Sequence, residues 1–245
     1  MYGTGGNWRG IARKINERRP EWGVVLCDLR NHGRSENGAA PHTVDACATD
    51  VVTMIGELAE TPVRALAGHS FGGKVMLAAR MQIDVAQTWM LDSTPSERTH
   101  PTATDDSALR VLKMLEGLPA TWDSRDAFVQ AVIAAGHDQT FAQWLAMNIV
   151  PQDNAFVLRM PLASLGEMMD DFRATDRWNQ ALAPDRGELE LVVADRGGVF
   201  TPADLARVAE PPAHLHVHHL AAGHWLHVEA ATAVIDLFVD RLPIA

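Results

Sequence analysis

Cysteine is scarce in this chain of 245 residues, which contains only Cys27 and Cys47. They fall in an expected strand and an expected helix, with no metal-ligand spacing between them. They read as buried free thiols of a cytoplasmic protein rather than as a disulfide framework or a metal site. Basic residues are also in deficit: 21 Lys+Arg stand against 31 Asp+Glu, a formal charge of -10. That balance disfavours nucleic acid and anionic membrane as partners and leaves a small, neutral molecule as the easier ligand. No apolar run approaches the roughly 18 residues of a membrane span, and the N-terminus lacks the charged-then-apolar pattern of a secretion signal. Internal repeats and low-complexity tracts are missing as well. What is present is a 47% hydrophobic composition, enough for one domain with a large core.

Along the chain, apolar strand-like runs alternate with helical periods. "WGVVLCDL" (22–29), "VRALAG" (63–68), "TWMLDS" (88–93), "LELVVAD" (189–195) and "HLHVHHL" (214–220) read as strands. "NWRGIARKINERR", "TVDACATDVVTMIGELAE", the segment after Ser70, "PADLARVA" and "VEAATAVIDLFVDRL" read as helices. Such alternation predicts a parallel sheet covered by helices on both faces. Between about Ser96 and Ala183 the alternation stops, and only amphipathic pieces remain. The expected organisation is therefore an α/β core over 1–95 and 184–245, with a helical lid over 96–183 at the carboxyl edge of the sheet, where such sheets bind ligands. Trp122, Phe141, Trp144, Met147 and Met168 of the lid are candidates for an apolar pocket, although each is individually more apt to hold the lid together.

One stretch carries chemistry. In "RALAGHSFGGKVMLAAR" (64–80), Gly68, Ser70 and Gly72 spell G-x-S-x-G between an expected strand and an expected helix. At such a turn the chain bends so sharply that glycine is expected at the flanking positions, and the serine is held strained with its Oγ exposed. A nucleophilic serine needs a base, and the base needs an acid to orient it. Of 11 histidines, His224 in "LAAGHWLH" lies in a loop straight after a strand, at the same sheet edge as Ser70. His69 is expected to point away around the turn it shares with Ser70. His214, His216 and His218 alternate along one strand face, which is expected to be polar rather than a metal site; neither a metal nor a cofactor is expected anywhere. For the acid, Asp92 and Asp195 each end a strand and each satisfies the order serine, acid, histidine.

"GHSFGGK" (68–74), "DLRNHGRS" (28–35) and "AGHWLH" (222–227) together resemble the α/β-hydrolase superfamily, and within it the small serine esterases with a lid and a GHSxGGK nucleophile elbow. The likeness runs from Gly3 to the last helix and is weakest in the lid. It implies an α/β-hydrolase fold, mainly a parallel sheet with helices on both faces and a helical lid insertion. Most of the superfamily carries its acid in a pattern like GxxDxxxP. Here "ADRGGVFTP" puts Gly197 in that place, with Asp195 two residues early. The GHSxGGK branch resembles this chain in taking an aspartate from a D-x-x-P setting one strand sooner, which favours Asp92 in "LDSTP" over Asp195. The oxyanion hole would use the backbone N–H of Phe71. Its second donor falls at Met1, because the family's loop begins with an "HG" that "MYGTGGNW" lacks. The likeness thus implies a chain short of the family's first strands.

The expected activity is that of a serine carboxylic-ester hydrolase, working through an acyl-enzyme at Ser70 on small, largely apolar esters. Phe141, Trp144 and Trp225 would contact the substrate. A thioesterase, an acyltransferase or a C–C bond hydrolase would use the same parts, and a catalytically impaired binding protein would keep the pocket without the turnover.

Overall fold

The computed structural model describes residues 1–58, 62–98 and 103–244, and the backbone alone over 103–107. Ala59 and Glu60, the end of the expected second helix, lie outside the described residues. A 3-10 turn at Gly5–Trp8 leads into α1 (Arg9–Arg18), and α2 follows at Val44–Glu57. The start of α2 is set by Thr43, whose hydroxyl accepts from the Ala46 N–H and so satisfies one of the free donors of the first turn. Then come β1 (Ala65–His69), α3 (Phe71–Ala79) and β2 (Gln87–Leu91). After a long insert, β6 (Glu188–Ala194), α9 (Pro202–Arg207), β7 (Leu215–Leu220), α10 (Leu226–Glu229) and α11 (Ala231–Arg241) complete the chain.

The four strands form one parallel sheet in the order β1-β2-β6-β7. The central strands read as near-continuous apolar runs because both faces are covered: all of β2 and all of β6 beyond Glu188 are buried. On one face Ile11 and Ile15 of α1 pack with Trp89, Val234 and Phe238. On the other, α2 and α3 join the insert in the largest core cluster. Every residue of α3 except Gly72 is buried, so the helix behind Ser70 cannot shift without repacking the core.

The insert is not all helical. It contains α4 (Ala103–Glu116), β3 (Thr121–Trp122), α5 (Arg125–Ala134), α6 (Gln139–Leu145), β4 (Ile149–Gln152), β5 (Ala155–Leu158), α7 (Leu162–Ala174) and α8 (Trp178–Ala181). Its three strands pair antiparallel in the order β3-β5-β4. The missed signal was the two-residue turn Asp153-Asn154 between apolar segments, with Asp153 at a φ of 52°, the conformation that tight hairpins select for. Lys74, fully buried in α3, pins the insert at both ends by donating to the carbonyls of Ser96, Phe172 and Thr175, each at 2.8 Å.

Residues 22–29 form no strand. They have no sheet partner, and Val24, Val25 and Leu26 are 43%, 59% and 38% exposed. Among the described residues nothing pairs with the outer edge of β1 either. Between the two lies an apolar slot, lined by Trp8, by Ile11 and Ile15 of α1 and by Val51, Met54 and Ile55 of α2; it is continuous with the Ser70 site in a single cavity of about 1170 Å³. The β-type composition of 22–29 was legible, but a strand exists only through a neighbour's backbone.

Candidate active site

Ser70 follows the last residue of β1 and precedes α3, and its backbone lies at φ 55°, ψ -119°. Non-glycine residues rarely adopt such values, and they persist only where the surroundings impose them. The cause is crowding at the turn: a Cβ on Gly68 would lie 2.1 Å from the Gly72 carbonyl oxygen. Gly72 itself faces open space, so the expected need for glycine on both flanks is met on one side only. The Ser70 N–H donates to the Leu91 carbonyl at 3.0 Å, tying the turn to β2.

The residue after Leu91 is Asp92, fully buried, at a φ of 42°. Its Oδ2 accepts from His224 Nδ1 at 2.7 Å and its Oδ1 from the Ala194 N–H at 3.1 Å. The structure therefore brings Asp92, not Asp195, to His224. Asp195 sits on the surface and pairs with His219 Nδ1 at 2.9 Å. Gly197, which stands where the superfamily pattern has its acid, leaves space that the Asp92 carboxylate fills: a Cβ there would meet Asp92 Oδ2 at 2.3 Å. With Nδ1 engaged, His224 presents Nε2 as its remaining polar atom. His224 and Ser70 both line the large cavity; among the described residues no hydrogen bond joins the Ser70 hydroxyl to Nε2, and catalytic contacts of this kind often tighten only with substrate bound.

His69 does not point away. Its ring packs against that of His224 with centroids 4.6 Å apart, and its Nε2 donates to the His224 carbonyl oxygen at 2.7 Å. Burial, reinforced by the neighbouring His224 and His227, holds its pKa well below the usual histidine value. His227, beside the Trp8 ring, is likewise lowered to about 4, first by burial and then by His224. Strand alternation alone could not show this, because the partner loop comes from β7.

Phe71 begins α3, where backbone N–H groups are unpaired by the geometry of a helix start. Met1 lines the cavity, and burial lowers its α-amino pKa to about 6. Phe141, Trp144 and Trp225 form an aromatic row, with centroids 5.6 Å and 4.8 Å apart, along the same cavity. The other aromatic and methionine candidates do not join them. Trp122 packs on Phe128, Met147 is exposed and Met168 is buried in the core, while Met169 lines the cavity instead. Two basic side chains of the insert region, Arg98 and Arg173, also line it; composition alone did not single them out. Two histidines of β7 have carboxylate partners on β6: His216 pairs with Glu188 and His218 with Glu190. Among the described residues no group of three or more His, Cys, Asp or Glu is arranged to hold a metal ion, and no helix is long and apolar enough to cross a membrane.

Comparison with known proteins adds four findings. The model of the alpha/beta hydrolase family matches residues 2–237. N-formylmaleamate deformylase of Pseudomonas putida is 24% identical over 252 residues, spanning 96% of this chain and 84% of that protein. Among solved structures, a marine microorganism esterase superposes with a TM-score of 0.85 at 20% identity, covering 99% of this chain and 92% of its own. E-2-(acetamidomethylene)succinate hydrolase does so with a TM-score of 0.75 at 15% identity, covering 98% and 87%.

Proposed function

The chain belongs to the alpha/beta hydrolase family and has its fold, and from that premise we propose that it is a serine hydrolase acting on small carboxylic esters. The observation that carries the reading is the His224 Nδ1 to Asp92 Oδ2 hydrogen bond, at 2.7 Å, beside a strained Ser70 on one cavity. Asp92 fixes the tautomer of His224, which takes the Ser70 proton as Oγ attacks the ester carbonyl carbon. The Phe71 N–H, with the backbone around Met1, stabilises the developing oxyanion. His224 then returns the proton to the departing alkoxide. The resulting acyl-enzyme is released by water, deprotonated by the same imidazole. Phe141, Trp144 and Trp225 supply the apolar wall for the acyl group.

A second reading has its own support. Arg98 and Arg173 on the cavity wall suit a substrate bearing a carboxylate, and the curated relative is named a deformylase of N-formylmaleamate. On this reading the same serine attacks an amide carbonyl of an acidic molecule. Turnover of a panel of neutral acyl esters, of half-esters carrying a free carboxylate and of N-acyl amino-type acids separates the two. Neutral esters should be cleaved fastest, and Ser70→Ala should abolish cleavage of every member. Preference for carboxylate-bearing amides would select the second reading, and turnover retained in Ser70→Ala would exclude both.

A further inference from the structure

The candidate base rests on a loop outside the strands, whose main chain is held at Ala221 and Ala222 by Arg196 and at Gly223 by the Glu229 carboxylate. Residues 221–225 leave β7 at the far edge of the sheet and must cross to β1 and β2, the pair that carries Ser70 and Asp92. Its side chain is tied to β2 through Asp92. Its main chain is tied to β1 through the 2.7 Å hydrogen bond from His69 Nε2 to the His224 carbonyl. His69 is a rigid support, because it is the last residue of β1, in register with Leu91 of β2. We propose that His69 is a positioning residue for His224, holding its loop by one N–H and its ring by tilted ring-to-ring packing so that Nδ1 meets Asp92. This rests on the reading of Ser70, Asp92 and His224 as the reacting set.

The chemistry of His69 suits that task. A carbonyl only accepts, so Nε2 must carry the proton. The titratable groups that face the ring are His224, His227 and the α-amino group of Met1. All three oppose a charge there, and the Asp92 carboxylate is engaged by His224. Of the three adjoining imidazoles only His224 has a carboxylate partner; His227 Nδ1 is buried without one among the described residues. The proton taken from serine therefore settles on His224, with a neutral imidazole packed against it.

The test uses His69→Phe, which keeps a ring but no donor, and His69→Gln, which keeps a donor. Both are measured with p-nitrophenyl acetate over a range of pH, alongside melting temperature and labelling by a fluorophosphonate. His69→Phe should lower kcat by about ten- to a hundredfold, as small misplacements of reacting groups do, with KM within about twofold. The acid limb of kcat/KM should move to lower pH, because a looser Asp92 contact stabilises the imidazolium less. His69→Gln should recover most of the loss. A folded His69→Phe with wild-type kcat and acid limb, or two folded variants equally slow, would overturn the proposal. If the wild type labels at Ser70 while His69→Phe is normal, only this inference falls; if the wild type is not labelled there, the triad reading falls and takes this one with it.

Discussion

Asp92 and Gly197 share one volume: a Cβ on residue 197 would stand 2.3 Å from Asp92 Oδ2 and 3.0 Å from its Cγ. The carboxylate that reaches His224 is thus admitted by the missing side chain of a residue that follows β6, the neighbour of β2 in the sheet. Gly197→Ala should displace the carboxylate and cut kcat by about a hundredfold, the cost of a misplacement near 1 Å. Asp92→Asn should cost about ten-thousandfold, since an amide holds the wrong tautomer. Asp195→Asn, which touches only the exposed His219, should leave kcat near wild type. Steady-state kinetics of the three variants check this ordering, and a severe Asp195→Asn with a mild Asp92→Asn would reverse the assignment.

The aromatic row sets a second expectation. Trp144 contacts both Phe141 and Trp225, and large rigid rings supply apolar contact at little entropic cost. Trp144→Ala, alone or with Phe141→Ala, should shift the preferred acyl chain length across a homologous ester series while leaving fluorophosphonate labelling of Ser70 intact. An unchanged profile would return both residues to the packing of the insert.

Stability should fall as the solution is acidified through the histidine range. His32 is buried and its pKa is lowered to about 4, chiefly by burial. Its unfolded counterpart titrates near 6.5. Between those values the unfolded state binds more protons, so stability present above about pH 6.5 is lost as pH falls toward 4, by about 3 kcal/mol for this one ring. His227 acts with the same sign. Urea midpoints measured from pH 8 to 4.5 should decline, and His32→Gln should flatten the decline; a flat wild-type profile would contradict the account.

The slot between residues 22–29 and β1 is lined by apolar side chains, and Val24, Val25 and Leu26 are exposed. The chain should therefore bind a polarity-sensitive dye such as anilinonaphthalene sulfonate in its native state, since contiguous exposed apolar surface takes up apolar ligands. A native state that gives no dye signal would contradict this.

Local pattern and tertiary pairing explain what was legible. The four sheet strands and α1, α2, α3, α9 and α11 could be read because each carries its own periodicity and, for α2 and α9, a capping residue. The turn at Ser70 was legible through Gly68, whose close approach to Gly72 is local. Residues 22–29 have strand composition but no partner, and the hairpin of β4 and β5 hid behind the expectation of a helical insert. Asp92 was favoured over Asp195 by the D-x-x-P likeness of "LDSTP" and does meet His224, whereas the contact of His69 with His224 depends on how the loop after β7 crosses to β1, which sequence spacing does not encode.

The most direct measurement is the site of covalent labelling by a fluorophosphonate, read by intact mass and peptide mapping. Only a serine activated by a neighbouring base reacts readily. The account predicts a single adduct on Ser70, absent in Ser70→Ala and strongly slowed in His224→Ala. No adduct, an adduct on a different serine, or undiminished labelling in His224→Ala would contradict it.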